Sequence, residues 1–129
     1  MSEKEKHLIP LISIVDDDES VREATTGFLK SNGFRAEVFA SAEEFLASPH
    51  LEETRCLILD VHMPGIGGLG LQRRLAAGSH RIPIIFITAH QEPKIRNEAM
   101  RAGAVDFLSK PVSEEVLLHA IHSALGSAA

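Results

Sequence analysis

Four short apolar runs of the sequence are each followed by polar side chains that could take part in chemistry. In chain order these residues are Asp16, Asp17, Asp18, Asp60, Thr88 and Lys110. Carboxylates gathered at one place repel one another, and a hard divalent cation such as Mg²⁺ relieves that repulsion by binding their oxygens. A lysine can neutralise a phosphoryl group, and a threonine hydroxyl can donate a hydrogen bond to it. Acids, a lysine and a hydroxyl together suit the transfer of a phosphoryl group onto a carboxylate.

The apolar runs that precede these polar residues are predicted to be β-strands. Most are short and nearly continuous, which favours strands buried on both faces of a sheet. The five predicted strands cover residues 8–15, 36–39, 56–59, 84–87 and 104–108. The run at 36–39 mixes polar and apolar side chains, so it is predicted to be an edge strand.

Helical patterns separate the predicted strands. They begin near Val21, Ser41, Leu69, Pro93 and Ser113, and they end near Asn32, Pro49, Gly78, Gly103 and Gly126. Strands that alternate with helices predict parallel pairing, right-handed crossovers and helices on both faces, which is a doubly wound α/β fold. The carboxyl ends of parallel strands meet at one edge of the sheet, where ligands usually bind. The polar residues are therefore expected to converge there.

Length and composition indicate one globular domain. The chain has 129 residues, of which 44% are hydrophobic and 24% are charged, so disorder is excluded as its main state. The domain is expected at residues 8–126, between tails at residues 1–7 and 127–129. The net charge of −5, without a basic stripe, argues against direct binding to nucleic acid. No apolar run approaches the roughly 20 residues of a membrane span, and no signal-peptide pattern is found, so a cytoplasmic protein is expected.

Four motifs of the sequence, taken in order, resemble the receiver domain of two-component response regulators. They are IVDDDESVR at 14–22, LILDVHMPGIGG at 57–68, PIIFITAH at 83–90 and GAVDFLSKP at 103–111. The resemblance extends from about Leu8 to about Leu125 and is strongest to receivers that precede helix-turn-helix output domains in nitrogen-fixation-type regulators. It implies a flavodoxin-like, five-stranded parallel sheet of order 2-1-3-4-5 with five helices on both faces.

The resemblance also implies a role for each residue of the site. Asp60 would accept the phosphoryl group. Asp17 and Asp60 would bind Mg²⁺ directly, Asp16 would bind it through a water, and the backbone carbonyl of His62 would complete the metal site. Lys110 would pair with the phosphoryl group on Asp60.

The resemblance implies roles for three further residues near the site. Thr88 would hydrogen-bond the phosphoryl group after a small inward shift. Phe107 would occupy the aromatic switch position and turn inward when Thr88 moves. Pro111 would follow a cis peptide bond that places the preceding lysine.

The function implied by the resemblance is a switch controlled by phosphorylation. A partner histidine kinase would present phosphohistidine to Asp60. The face formed by the fourth helix, the fifth strand and the fifth helix would then form a homodimer or dock an output partner. A DNA-binding output domain would lie outside this chain. Such a protein modifies itself and is not a turnover enzyme.

Two alternatives come from other classes of function. An aspartate-nucleophile phosphatase uses the same type of sheet, and Asp16 and Asp18 loosely match its pair of acids two residues apart. That function leaves Asp60 without a role as nucleophile. The other alternative is an inactive receiver that serves only for docking, against which the complete set of acidic, hydroxyl and lysine residues argues.

Two histidines flank the expected site, because His62 lies two residues after the acceptor and His90 two residues after Thr88. In receiver domains these two positions tune the lifetime of the phosphoryl group. The imidazoles are hypothesised to bridge to each other, to orient a water or to sense pH near neutrality.

Several other polar or reactive residues are assigned structural roles. Asp18 is predicted to cap the first helix, and Cys56 is predicted to be a buried apolar residue. His119 and His122 are three residues apart but have no obvious third ligand, so they are predicted to lie on a solvated face. Residues 65–70 are glycine-rich but lack the ending of a P-loop, and they are predicted to form a mobile loop.

Overall fold

A computed structural model of the protein describes residues 2, 9–78 and 80–127. The strands are β1 (Leu11–Val15), β2 (Arg35–Phe39), β3 (Thr54–Asp60), β4 (Ile84–Thr88) and β5 (Asp106–Ser109). The helices are α1 (Glu19–Ser31), α2 (Ala42–Leu46), α3 (Gly67–Ala77), α4 (Pro93–Arg101) and α5 (Glu114–Ser127). A single 3₁₀ turn, Leu51–Glu53, precedes β3. None of the described helices is long and apolar enough to cross a membrane.

The five strands form one parallel sheet in the order β2-β1-β3-β4-β5. This is the predicted doubly wound, flavodoxin-like arrangement, and β2 is the predicted edge strand. The register brings Val15 level with Leu59, and Thr88 level with Ser109. The chain therefore leaves β1, β3, β4 and β5 at the same edge of the sheet, which is where the polar residues of the sequence were expected to meet.

Each face of the sheet is covered by helices. Leu57, Leu59 and Phe86 point to the face where Phe45 of α2 and Leu71 of α3 pack. The opposite face carries a second apolar cluster, whose members from the sheet and from α1 and α5 include Ile14, Ile58, Ile85, Leu29 and Ile121. The central strands are buried on both faces, as their continuous apolar runs predict. These two layers support the carboxyl edge of the sheet from both faces.

Several boundaries differ from those predicted. The first strand begins at Leu11, while the predicted start at residue 8 lies outside the described residues. The last strand begins at Asp106 and not at residue 104, because the backbone N–H of Ala104 donates a hydrogen bond to the carbonyl of Ala99 in the turn after α4. The predicted tails at 1–7 and 127–129 lie outside the described residues except for Ser2 and Ser127.

Glycines account for two further differences. Gly126 does not end the last helix, which continues through it to Ser127. Residues 65–70 are not a mobile loop as predicted, because α3 begins at Gly67 and includes Gly68 and Gly70. The prediction is wrong because a glycine also permits close approach of two backbone segments, as well as flexibility. Here Gly68 is required for close packing instead, since a Cβ would lie 2.5 Å from the backbone oxygen of Asp60.

Candidate functional site

Three carboxylates converge at the carboxyl edge of the sheet. Asp16 and Asp17 follow β1, and Asp60 ends the neighbouring strand β3. One oxygen of each lies within 4.8 Å of the others, and no other such group of three potential metal ligands is found in the part of the chain that the structure describes. Asp16 is fully buried and Asp60 is 5% exposed, whereas Asp17 is exposed. The group is thus held by the core on one side and open on the other.

Lys110 brings a positive charge to these acids. It follows β5, and its backbone N–H donates a hydrogen bond to the carbonyl of Thr88 over 2.7 Å. The peptide bond to Pro111 is cis, as predicted. The ammonium Nζ lies 2.8 Å from Oδ2 of Asp16 and 3.4 Å from Oδ2 of Asp60. One lysine therefore faces both of the buried carboxylates.

The charges at this site perturb one another. Burial raises the pKa of Asp60, and the nearby charge of Asp16 raises it further, while Lys110 only partly counters these effects. Burial alone would lower the pKa of Lys110, but its hydrogen bond with Asp16 and the charge of Asp60 outweigh burial, so the pKa is raised. The lysine stays charged, and the acids retain an excess of negative charge that a cation would relieve.

The donor set fits a magnesium ion. Mg²⁺ prefers oxygen ligands and usually binds one or two carboxylates. Asp16, Asp17 and Asp60 supply such oxygens. Because burial and the charge of Asp16 raise the pKa of Asp60, a bound cation would favour the ionised form of this carboxylate.

The backbone after Asp60 is held tightly. The N–H of His62 donates a hydrogen bond to Oδ1 of Asp60 over 3.3 Å. The N–H of Gly68, in the first turn of α3, donates to the carbonyl of Val61 over 3.1 Å. A side chain at Gly68 would collide with the backbone of both Asp60 and Val61. Gly68 was not predicted as a site residue, although its presence among closely spaced glycines was the available signal.

Thr88 is fully buried at the end of β4. Its hydroxyl donates a hydrogen bond to the carbonyl of His90 over 3.0 Å and accepts one from the N–H of His90 over 3.1 Å. The hydroxyl thus orders the segment between β4 and α4. Phe107, on β5, is buried, and its ring centroid lies 6.0 Å from that of Phe86.

The two flanking histidines lie near each other, and one of them, His62, pairs with a third residue. The ring centroids of His62 and His90 are 6.3 Å apart in an edge-to-face arrangement. Nε2 of His62 lies 3.2 Å from a carboxylate oxygen of Glu92. Glu92 was not predicted, because nothing in its spacing from the other residues shows that it reaches across to the loop after β3.

The remaining assignments from the sequence agree with the structure. The Asp18 carboxylate accepts hydrogen bonds from the N–H groups of Ser20 and Val21 and caps α1. This role removes it from the acid pair that a phosphatase would need. Cys56 is buried, and burial raises the pKa of its thiol to about 12. His119 and His122 are exposed on α5.

The fold and the site together define a class of protein. Residues 12–122 match the family model of the response regulator receiver domain. The chain belongs to this family.

Named relatives agree with this assignment. The response regulator protein TmoT of Ectopseudomonas mendocina is 47% identical over 115 residues, which is 89% of this chain and 52% of that protein. The transcriptional regulatory protein FixJ of Azorhizobium caulinodans is 36% identical over 118 residues, 92% of this chain and 56% of that protein. The crystal structure of FixJ-N superposes with a TM-score of 0.81 at 39% identity, covering 91% of this chain and 94% of that one. The chain spans about half the length of the curated relatives it matches.

Proposed function

We propose that this receiver domain is a switch in which Asp60 accepts a phosphoryl group from the phosphohistidine of a partner histidine kinase in the cytoplasm, with Mg²⁺ as cofactor. The observation that carries the proposal is the convergence of Asp16, Asp17, Asp60 and Lys110 at one edge of the sheet. A reactive carboxylate, a cluster of oxygen ligands and a nearby cation are the parts that phosphoryl transfer onto a carboxylate needs.

The transfer exchanges one bond for another. A carboxylate oxygen of Asp60 forms a bond to phosphorus, and the phosphorus–nitrogen bond of the phosphohistidine breaks, so the imidazole of the kinase leaves with the electron pair. Asp17, Asp60 and the carbonyl of His62 would hold Mg²⁺, with Asp16 bound through a water. When bound, Mg²⁺ supplies positive charge that neutralises the oxygens of the phosphoryl group.

Lys110 would supply the second positive charge. It lies closer to Asp16 than to Asp60, at 2.8 Å against 3.4 Å. A phosphoryl group on Asp60 adds negative charge beside the ammonium and gives it a second anionic partner. Lys110 would then pair with a phosphoryl oxygen, which stabilises both the transferring group and the product.

Thr88 would report the phosphorylation to the rest of the domain. Its hydroxyl donates its one proton in a hydrogen bond to the carbonyl of His90. A hydrogen bond to a phosphoryl oxygen on Asp60 would need the same proton. Donating to the phosphoryl group therefore breaks the bond to His90 and changes the segment between β4 and α4. Gln91 in this segment is hydrogen-bonded to Ser109 at the end of β5, so the change would reach the face formed by α4, β5 and α5.

Phosphorylation would shift the population between two arrangements of that face, and the favoured arrangement would bind a partner. The partner is a second copy of the chain or an output domain, such as the DNA-binding domain of a longer regulator. The protein thus modifies itself and passes on a signal, without turnover of a separate substrate.

Beryllofluoride, which mimics a phosphoryl group on an aspartate, tests the proposal directly. With Mg²⁺ present, we expect the amide NMR signals of Thr88, His90 and Phe107 to shift, and Asp60→Asn to abolish the shifts. Asp106→Asn, which changes an acid at the opposite end of β5, is the matched control and should respond like the wild type. Equal shifts in Asp60→Asn, or none in the wild type, would contradict the proposal.

A further inference from the structure

We infer that Glu92 is a positioning residue that holds the imidazole of His62 across the mouth of the phosphorylation site and thereby limits the access of small molecules to Asp60. The inference rests on the proposed function, since it concerns the reactions of a phosphoryl group at Asp60. It adds to the site Glu92, the residue at the N-terminal boundary of α4.

The position of Glu92 is the first observation. It is the residue before Pro93, at the N-cap of α4, where an acidic side chain commonly binds the free N–H groups of its own helix. Its carboxylate makes no such capping bond. It lies instead 3.2 Å from Nε2 of His62 on the loop after β3. The side chain therefore connects two loops and makes no capping hydrogen bond to its own helix.

The second observation is that the His62–Glu92 pair lies beside Asp60. The backbone N–H of His62 is bonded to Oδ1 of Asp60, so His62 lies directly beside the acceptor carboxylate. Glu92 belongs to the segment that follows Thr88 at the end of β4, the strand beside β3. The His90 ring, 6.3 Å from that of His62, flanks the imidazole. The pair of His62 and Glu92 thus joins the segments that follow β3 and β4, beside Asp60.

The bridge has a consequence for small reactants. Water must reach the phosphoryl group to hydrolyse it, and a small donor such as acetyl phosphate must reach Asp60 to phosphorylate it. An imidazole fixed across the opening obstructs both routes. A freed imidazole samples other rotamers and leaves the opening clear for part of the time. Loss of Glu92 is therefore expected to accelerate both reactions together.

The expected size follows from the exposure of the pair. The side chains of His62 and Glu92 are 46% and 51% exposed, so solvent weakens their interaction. Exposed pairs of this kind shift a conformational equilibrium by a factor of about two to five. We expect Glu92→Ala to increase the rate of phosphoryl loss, and the rate of phosphorylation by acetyl phosphate, by about that factor.

The chain offers a closely matched control. Glu98 also lies on α4, is 55% exposed and pairs with Arg73 over 3.2 Å, but it lies on the helix away from the site. Glu98→Ala removes an acid of the same exposure and pairing distance and should leave both rates unchanged. Glu92→Gln retains an oxygen that can accept a hydrogen bond from Nε2 of His62, so it should restore rates near those of the wild type.

The experiment measures the two rates by intact-protein mass at saturating Mg²⁺ in the full chain. The variants are Glu92→Ala, Glu92→Gln, His62→Ala and the double variant of Glu92 and His62, with Glu98→Ala as control. If Glu92 acts through His62, the double variant reacts no faster than His62→Ala alone. An unchanged Mg²⁺ affinity would show that the metal site itself is intact.

Two results would overturn the inference. One is a Glu92→Ala variant whose rates equal those of the wild type, and the other is a double variant in which the two effects multiply. Neither result affects the proposed function, which fails only if Asp60 is not phosphorylated in the wild-type chain.

Discussion

Gly68 gives the sharpest prediction about how the fold positions Asp60. It lies in the first turn of α3, where its N–H is bonded to the carbonyl of Val61. Replacing it by alanine adds one methyl group at a point where a Cβ would lie 2.5 Å from the carbonyl oxygen of Asp60 and 2.9 Å from Cα of Val61. Both contacts are with backbone, so no side-chain rotation can relieve them.

The structure sets the size of the effect. Ordinary van der Waals contact begins near 3.4 Å, so the added methyl and the Asp60 carbonyl must move apart by about 0.9 Å. A misplacement of reacting groups by roughly 1 Å can cost about 100-fold in rate. We therefore expect Gly68→Ala to slow phosphorylation of Asp60 by roughly 10- to 100-fold. Overpacking of this kind is also expected to lower the free energy of unfolding by about 1–3 kcal/mol.

Gly27→Ala is the control for this substitution. Gly27 lies in the interior of α1, and no atom is found within 4 Å of the Cβ that alanine would add. Alanine is the better helix former, so this variant should be more stable by about 0.5–1 kcal/mol and should be phosphorylated normally.

The assay compares the phosphorylation rate and the Mg²⁺ affinity of the two variants with those of the wild type. Urea unfolding, followed by circular dichroism, confirms that each variant is folded under the assay conditions. A folded Gly68→Ala protein that is phosphorylated at the wild-type rate would refute the reasoning, because it would show that the backbone of Asp60 need not be held in this position.

Three further predictions concern the charged and buried groups. Lys110→Ala should slow phosphorylation and lower the free energy of unfolding by roughly 1–3 kcal/mol, because buried Asp16 loses its ionic partner. The control Lys94→Ala removes an exposed lysine and should change neither the phosphorylation rate nor the free energy of unfolding. Asp60→Asn should stabilise the Mg²⁺-free protein at neutral pH, because burial and the charge of Asp16 raise the pKa of Asp60. This gain in the free energy of unfolding should shrink as the pH falls through the raised pKa of folded Asp60 towards the ordinary value of about 4. Denaturant unfolding that shows the same gain at every pH would contradict the prediction. Cys56 should resist a thiol reagent at pH 8 until the chain unfolds, since burial raises the pKa of its thiol to about 12, and rapid labelling of folded protein would disagree.

The sequence determines much of the fold for identifiable physical reasons. The runs that became β3 and β4 are continuous and apolar because both faces of these strands are buried. The helix caps at Asp18 and Ser41 were predictable because a short polar side chain before a helix binds its free N–H groups. The boundary at β5 was not predictable, because it depends on a backbone hydrogen bond between residues 104 and 99.

The same contrast applies to the candidate site. The convergence of Asp16, Asp17, Asp60, Thr88 and Lys110 was predictable, because each residue ends or follows a strand and parallel strands end at one edge. Gly68 and Glu92 were not identified, since their importance comes from contacts between separate loops. The hypothesis that the two histidines bridge to each other likewise omits Glu92, which is the residue that His62 contacts.

The central claim is that Asp60 accepts a phosphoryl group with the help of the acids and the lysine around it. The most direct test is the intact mass of the protein after incubation with acetyl phosphate and Mg²⁺. We expect a gain of one phosphoryl group that disappears when Mg²⁺ is chelated and in Asp60→Asn, but not in the control Asp106→Asn. A gain that persists in Asp60→Asn, or a wild-type protein that gains no phosphoryl group from acetyl phosphate or from a phosphorylated kinase, would contradict the account.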